Sequence, residues 1–342
     1  MKILAIICEF NPFHNGHKYL IEEAKNMTDC DAVLCIMSGD FTQRGEMCIA
    51  DKYTRAKHAV YGGADCVIQL PASFAVAPAE IFAKGAIKIL SAIPEVTSLA
   101  FGCESGNKKG FLSSAKLLIN ETDKFKSILN EKLANGESYI KSYSAAYEAC
   151  GGTDGLLNKP NNILALEYTK AILRLNSNID IFPIKRIGAS YNDGELKENF
   201  SSASAIRQNL TNQKVKFNLP DFVYGDIKNT SNDNQFENFL RNKMFWSSTN
   251  CLSRVYGGGE GLENKLKSLE NEPLASIIEK ATSKRYSSSR IRRMLCAHAL
   301  GLYQDDCEKY LSDDLYIKPL AVKKRGAGEL LVSVIRVCRG RR

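Results

Sequence analysis

The chain has 342 residues, of which 44% are hydrophobic and 25% charged; this fits a soluble globular protein of about two domains and excludes disordered, collagen-like and coiled-coil compositions. It has no run of about 18 apolar residues, and Ile3 to Cys8 is too short for a signal-peptide core, so no membrane association is expected and the cytoplasm is the expected location. The net charge of +8 is regional: residues 1–200 hold 22 Lys+Arg against 23 Asp+Glu (net −1), and residues 201–342 hold 24 against 15 (net +9), which points to an acidic partner for the C-terminal part.

The first two hundred residues alternate strand and helix signals. Lys2 to Cys8 is an apolar β-type run, and His17 to Asn26 carries Tyr19, Leu20 and Ala24 on one helical face. Ala32 to Met37 predicts a second strand, Ala50 to Tyr61 a helix ending at Gly62-Gly63, Cys66 to Leu70 a third strand stopped by Pro71. Ala79 to Ile93 predicts a helix and Thr97 to Cys103 a fourth strand. The alternation predicts an α/β fold, a parallel sheet with helices on both faces. A helical insertion is expected at about 106–150, then a helix over Asn161 to Leu175, a strand over Asp180 to Arg186 and a helix over Ser201 to Leu210. Beyond Pro220 the alternation stops. Lys228 to Gln235 reads as a loop, Gly257-Gly258-Gly259 as a break, and the rest as short helices with one β-like run at Leu330 to Val337. The expected division is 1–215 and 220–342, the second part mainly helical and basic.

Eleven cysteines with no C-x-x-C spacing, mostly in apolar contexts, read as buried thiols rather than a disulfide framework or a zinc site. Histidine is scarce, at four, and two of the four fall in His14-Asn15-Gly16-His17. This tetrapeptide follows a predicted strand and opens a predicted helix. A helix N-terminus presents free N–H groups and a partial positive charge, and residues three apart share its first turn, so His14 and His17 are candidate catalytic ligands for phosphate. Gly16 between them leaves the backbone open to close approach. No third zinc ligand lies nearby, so no metal is assigned to the pair. His58 and His298 read as structural.

N-P-F-H-N-G-H after a first strand resembles the signature of the HIGH-type (HxGH) nucleotidyltransferases, which implies a Rossmann-like core with the histidines at the phosphates of ATP. Ser202-Ala203-Ser204-Ala205-Ile206-Arg207 resembles that superfamily's second motif, in which hydroxyls at a helix start and an arginine one turn on make a second phosphate grip. Within it the chain resembles the tRNA(Met) cytidine acetate ligase family. The segments that carry the likeness are Glu9 to His17, Ser38 to Glu46, Asp51 to Lys57, Gly63 to Asp65, Leu99 to Gly102, Lys159 to Leu164, Lys185 to Gly188 and Lys284 to Arg293. Family members usually run longer beyond the position of Arg342.

The resemblance implies an enzyme that joins acetate to ATP, with magnesium, as acetyl-adenylate. It then acetylates N4 of the wobble cytidine of elongator tRNA(Met); no protein partner is implied. It implies ATP contacts from Ile7, Cys8, Glu9, Phe10, Asn11, Pro12, Phe13, His14, Asn15, Gly16, His17, Lys18, Tyr19 and Leu20. Further contacts are implied from Gly102, Asn161 or Asn162, Arg186 and Ile187, beside Ser202, Ser204 and Arg207. Gly102 and Arg186 both end predicted strands, where open α/β sheets bind ligands. Ser38 to Glu46, with Asp40, Gln43 and Arg44, is placed to close over the reacting groups, and Asp40 is a candidate magnesium ligand. Lys284, Arg285, Arg290, Arg292 and Arg293 form an acid-free basic run that suits RNA phosphates, with Tyr286 as a candidate base-stacking ring and Lys323-Lys324-Arg325 and the Arg336, Arg339, Arg341, Arg342 tail as candidate extensions. Two other readings fit the residues: an adenylyltransferase for a small phosphorylated cofactor precursor, and a nucleotide-regulated RNA-binding protein without turnover.

Overall fold

The structure, a computed structural model, describes residues 1–188, 195–227, 235–312 and 316–324. In chain order the elements are β1 (Ile3–Cys8), α1 (Asn15–Thr28), β2 (Ala32–Ser38), α2 (Lys52–Tyr61), β3 (Cys66–Leu70), α3 (Ala72–Ala75), α4 (Ala79–Ser91) and β4 (Val96–Cys103). Next come α5 (Lys108–Ile119), α6 (Asp123–Ala134), α7 (Tyr139–Ala149), α8 (Pro160–Arg174), β5 (Asp180–Lys185), α9 (Ala203–Gln208) and α10 (Asp221–Ile227). The last are α11 (Gln235–Trp246), α12 (Thr249–Ser253), α13 (Leu262–Lys267), α14 (Leu274–Ala281), α15 (Ser288–Leu300), α16 (Gln304–Ser312) and β6 (Pro319–Val322).

The sheet runs β5-β4-β1-β2-β3-β6, with the first five strands parallel and β6 antiparallel on the edge. All six residues of β1 are buried, because helices cover both faces. Its side chains alternate between two cores. Leu4 and Ile6 pack with Ile21 and Ala24 of α1 and Ala56 and Ala59 of α2. Ile3, Ala5 and Ile7 pack with Phe82 and Ala86 of α4, Phe111 of α5 and Leu166 of α8. β2 and β3 extend from one side of β1 and β4 and β5 from the other, so the strand order reverses between β1 and β4. Such a reversal opens a crevice at the carboxyl ends of the strands, here at Cys8 and Cys103.

The α/β alternation and the helical insertion stand as expected. The second half departs in detail. A separate helical core joins Leu240, Met244, Leu252, Leu266, Ile277, Ile291 and Leu295. Val223 and Ile227 of α10 instead pack in the α1/α2 layer, and β6 completes the first sheet through Cys66↔Val322 and Val67↔Ala321. Residues 220–342 are therefore not one separate block. β6 escapes sequence reading because it is a four-residue edge strand that opens on Pro319. Gln235 begins a helix rather than ending a loop; 228–234, the β-like run 330–337, Arg325 and the arginine tail lie outside the described residues. All ten described cysteines are free thiols, and no described helix is long and apolar enough to cross a membrane.

Candidate active site

The crevice at the β1/β4 reversal is a cleft of about 500 Å³. Residues 9–14 carry the chain from β1 across its mouth into α1. His14 is the N-cap of α1: its Nδ1 accepts from Gly16 N–H at 3.0 Å, while its own N–H donates to His17 Nδ1 at 3.3 Å. This reciprocal capping box uses imidazoles where Ser and Glu usually serve. The two rings stack at 3.7 Å between centroids, and Phe10 and Phe13 back His17 at 4.9 and 5.8 Å. Burial, then the charges of Arg186 and Arg207, hold the His14 pKa down to about 3. Burial, His14 and Arg186 push His17 well below its ordinary value too. Both imidazoles are therefore neutral at pH 7. Since each Nδ1 accepts, each Nε2 carries the proton and is the donor left for a phosphate oxygen. Gly16 is needed by His14 itself: a Cβ there would stand 2.9 Å from His14 Cε1 and force the ring off its stack.

Two cations line the same cleft. Arg186 follows β5, its N–H held by Cys103 O at 2.9 Å. Arg207, in the last turn of α9, donates to Asn11 O at 2.8 Å and lies 3.7 Å from Glu46. Ser202 caps α9 through Ala205 N–H at 3.0 Å, and Ser204 also lines the cleft. Glu9 accepts from Gln43 N–H at 2.6 Å; burial raises its carboxyl, against the lowering effects of that N–H and of Arg55, Arg207 and Arg44.

The cleft brings together Ile7, Cys8, Glu9, Phe10, Asn11, His14, Gly16, His17, Tyr19, Leu20, Gly102, Asn161, Arg186, Ile187, Ser202, Ser204 and Arg207. It leaves out five expected residues. Phe13 is fully buried against Gly62, and Pro12 turns the chain behind it. Asn15 Nδ2 ties α1 to Phe217 O at 2.8 Å, and Lys18 faces outward to Glu22 at 3.8 Å. Asn162 accepts from the Glu104 and Ser105 N–H groups at 2.9 and 3.3 Å, pinning the loop after β4, so of the Asn pair Asn161 is the one on the cleft; its Nδ2 donates to Glu104 at 2.8 Å. Neither Asn caps α8, whose N-cap is Lys159. Sequence reading passed over Phe82, Phe101, Leu164 and Tyr168 in the cleft wall. One signal existed: Asn161, Leu164 and Tyr168 are spaced i, i+3, i+7, on a single face of α8.

Among the described residues no acidic side chain in the cleft is left open for magnesium. Asp40 accepts from Lys52 N–H at 3.0 Å and pairs with its Nζ at 2.8 Å, outside the cleft lining, while Glu9 and Glu46 are engaged as above. Among the described residues no three His, Cys, Asp or Glu side chains cluster to hold a metal. His58 meets Asp226 at 3.0 Å and His298 meets Ser247 at 2.7 Å, structural positions both.

In the basic run, Lys284 and Arg285 are exposed and Arg290, Arg292 and Arg293 half-buried. Arg290 is committed to Glu260 at 2.9 Å. Tyr286 is held between Arg285 and Arg290, 5.7 and 5.5 Å from its ring, and its hydroxyl donates to Glu260 O at 2.5 Å, so it is not the free stacking ring expected. The run also approaches the cleft loop: a Cβ at Gly45 (φ +76°) would stand 2.6 Å from the Arg292 backbone.

A model of the HIGH Nucleotidyl Transferase family matches residues 1–334. A tRNA(Met) cytidine acetate ligase of Clostridium botulinum (strain Langeland) is 38% identical over 95% of this chain and 85% of its own, and one of Clostridium novyi is 39% identical over 88% and 79%. The chain belongs to the tRNA(Met) cytidine acetate ligase family, among the HIGH nucleotidyl transferases. Thermotoga maritima TmcAL superposes with a TM-score of 0.89 in its apo form, at 30% identity over 97% of this chain and 84% of that one. Its form with alpha-thio ATP gives 0.87, at 29% identity over 97% and 83%. The family segments have definite physical tasks here. In Asp51 to Lys57, Asp51 caps α2 and the fully buried Arg55 donates to Glu9 O, Ser38 O and Gly39 O, fastening the ends of β1 and β2 around the cleft.

The low histidine pKa values set a pH dependence. Unfolded, His14 titrates near its ordinary 6.5; folded, at about 3. Between these the unfolded chain binds the extra proton, so stability is lost as pH falls below about 6.5 and is intact above it, at up to ~1.4 kcal/mol per pH unit for one group. Urea unfolding between pH 7.5 and 5.5 is expected to show a shallower pH dependence for His14→Asn than for the unaltered chain. Equal slopes would mean that His14 is not held neutral.

Proposed function

We propose that the chain is an ATP-dependent acetate ligase acting in the cytoplasm on elongator tRNA(Met). The observation that carries this is the pair of neutral imidazoles at the N-terminus of α1, lining one cleft with Arg186 and Arg207 at the strand-order reversal. The relatives' names supply the acid and the RNA, and the nucleotide in TmcAL supports ATP. ATP lies with its phosphates at the start of α1 and its nucleoside toward Gly102 and Arg186-Ile187. A carboxylate oxygen of acetate attacks the α-phosphorus, the bond to the β-phosphate oxygen breaks, and pyrophosphate leaves. The Nε2–H groups of His14 and His17 and the Arg207 guanidinium meet the charge that moves onto the leaving oxygens. Neutral donors suit this step, because they stabilise the developing charge without holding the product as a strong ion pair. Magnesium bound with ATP would neutralise charge on its phosphates. The acetyl-adenylate waits in the cleft until the cytidine N4 amine attacks its carbonyl carbon and AMP departs. Exposed Lys284 and Arg285, with half-buried Arg292, supply phosphate contacts for the tRNA.

The test is exchange of labelled pyrophosphate into ATP. The proposal expects exchange that requires acetate and no tRNA. Exchange driven instead by a phosphorylated cofactor precursor, or no exchange by folded protein, would overturn it.

A further inference from the structure

The phosphate-binding half of the cleft leaves its inner wall without a task. There Phe82, Phe101 and Tyr168 are 1%, 4% and 4% exposed, yet all three line the cleft together with half-buried Leu164. They come from α4, β4 and α8, three elements of the second sheet-face core, so the wall is as rigid as that core. The rings are direct neighbours: Phe82 to Tyr168 is 6.5 Å between centroids and Phe101 to Tyr168 is 5.9 Å. Glu9 and Cys8, at the end of β1, are the titratable neighbours of Tyr168.

Resting on the acid-activating reaction proposed above, we propose that this recess is the acyl pocket, which takes the methyl end of a short carboxylic acid and sets the upper limit on its chain length. The chemistry of the walls fixes the orientation. Three apolar side chains and one phenol accept a methyl group at no cost in hydrogen bonds, whereas an adenine edge placed there would leave its ring nitrogens and amine largely unpaired. Glu9 borders the recess, and an inward-turned carboxylate would be buried among apolar rings beside that carboxyl, away from the cations of the phosphate half. The acid therefore enters methyl first, with its carboxylate toward the histidines and Arg207, where the α-phosphorus lies. Burial, with Glu9 and Cys8 adding to it, keeps the Tyr168 phenol protonated, so Tyr168 offers a donor to the carboxylate oxygen that remains the acyl C=O. An acid one methylene longer must displace Phe82 or Phe101 from a closed core.

The experiment measures acid-dependent pyrophosphate exchange with acetate, propionate and butyrate for the full chain and for Phe82→Leu and Leu164→Ala. Leu164→Ala, at a half-buried position, covers the case in which the core variant does not fold. A thermal melt checks both. Widening the recess is expected to raise kcat/KM for propionate relative to acetate at least ~10-fold, the effect of one methylene in a fitted pocket, with KM for ATP unchanged. An unchanged acid preference in folded variants overturns the pocket assignment, as does a raised KM for ATP with no change in preference, which would place adenine in the recess. Acetate-dependent exchange by the unaltered chain is the control: its absence would defeat the acid-activating reading rather than this pocket.

Discussion

His14→Asn is expected to lower acetate-dependent pyrophosphate exchange by roughly 10²- to 10³-fold, the loss that follows removal of one positioned donor to a developing oxyanion. Asparagine separates two tasks that alanine would confound. Its side-chain oxygen can replace His14 Nδ1 as acceptor for the Gly16 N–H, so α1 keeps its cap. It cannot place a donor where Nε2–H stands. Urea unfolding should therefore change by well under the ~1 kcal/mol that loss of a cap costs, while exchange collapses. At the second histidine, His17→Gln can keep the acceptor for the His14 N–H, because Gln commonly serves at that position of a capping box, but its flexible amide no longer fixes a donor where the ring Nε2–H stands. It is expected to keep the cap and lose exchange, as His14→Asn does. Equal exchange by His14→Asn and the unaltered chain would remove the histidines from the chemistry.

The second large effect lies on the RNA side. A triple variant, Lys284→Ala, Arg285→Ala and Arg292→Ala, is expected to weaken tRNA binding by roughly two orders of magnitude at low salt. It should also reduce the slope of log K against log salt by about 2 to 3, close to one unit for each cation withdrawn from a phosphate. None of the three lines the cleft, so tRNA-independent exchange should be unchanged. Arg290 and Arg293 are poorer probes. Arg290 holds Glu260 beside Tyr286, so its loss loosens the loop at Glu260. Arg293 is half-buried next to the backbone that meets Gly45. Loss of exchange in the triple variant would show that the basic run acts on the cleft through the loop at Gly45.

Much of this architecture was legible in the sequence, for identifiable reasons. β1 to β5 are apolar runs bounded by glycine, proline or polar turns, and each lies in a parallel sheet whose strands need no partner signal in the neighbouring sequence. His14 and His17 stand out because histidine is scarce and their spacing is that of a helical turn. What stayed hidden depends on contacts distant in sequence. Asn162 looks like Asn161 until the loop at Glu104 and Ser105, nearly sixty residues away, is seen to occupy it. Gly16 invites a reading in terms of ligand approach, whereas its nearest obligation is to the neighbouring His14 ring. Phe82 and Tyr168 sit on amphipathic helices where a cleft-facing aromatic has the same period as a core one. β6 carries four residues and a proline, too little pattern to separate from a loop. Arg55 shows the reverse case: a charged residue in an ordinary helical segment is among the most buried side chains, because carbonyls at the ends of β1 and β2 converge on it.

The most direct measurement of the central claim is mass spectrometry of nucleosides from elongator tRNA(Met) after incubation of the full chain with ATP and isotopically labelled acetate. One labelled acetyl group per tRNA is expected, carried on cytidine at the wobble position, with AMP and pyrophosphate formed in equal amounts and nothing transferred when ATP is withheld. Unlabelled cytidine alongside ATP turnover, or label on another nucleoside, would contradict that claim.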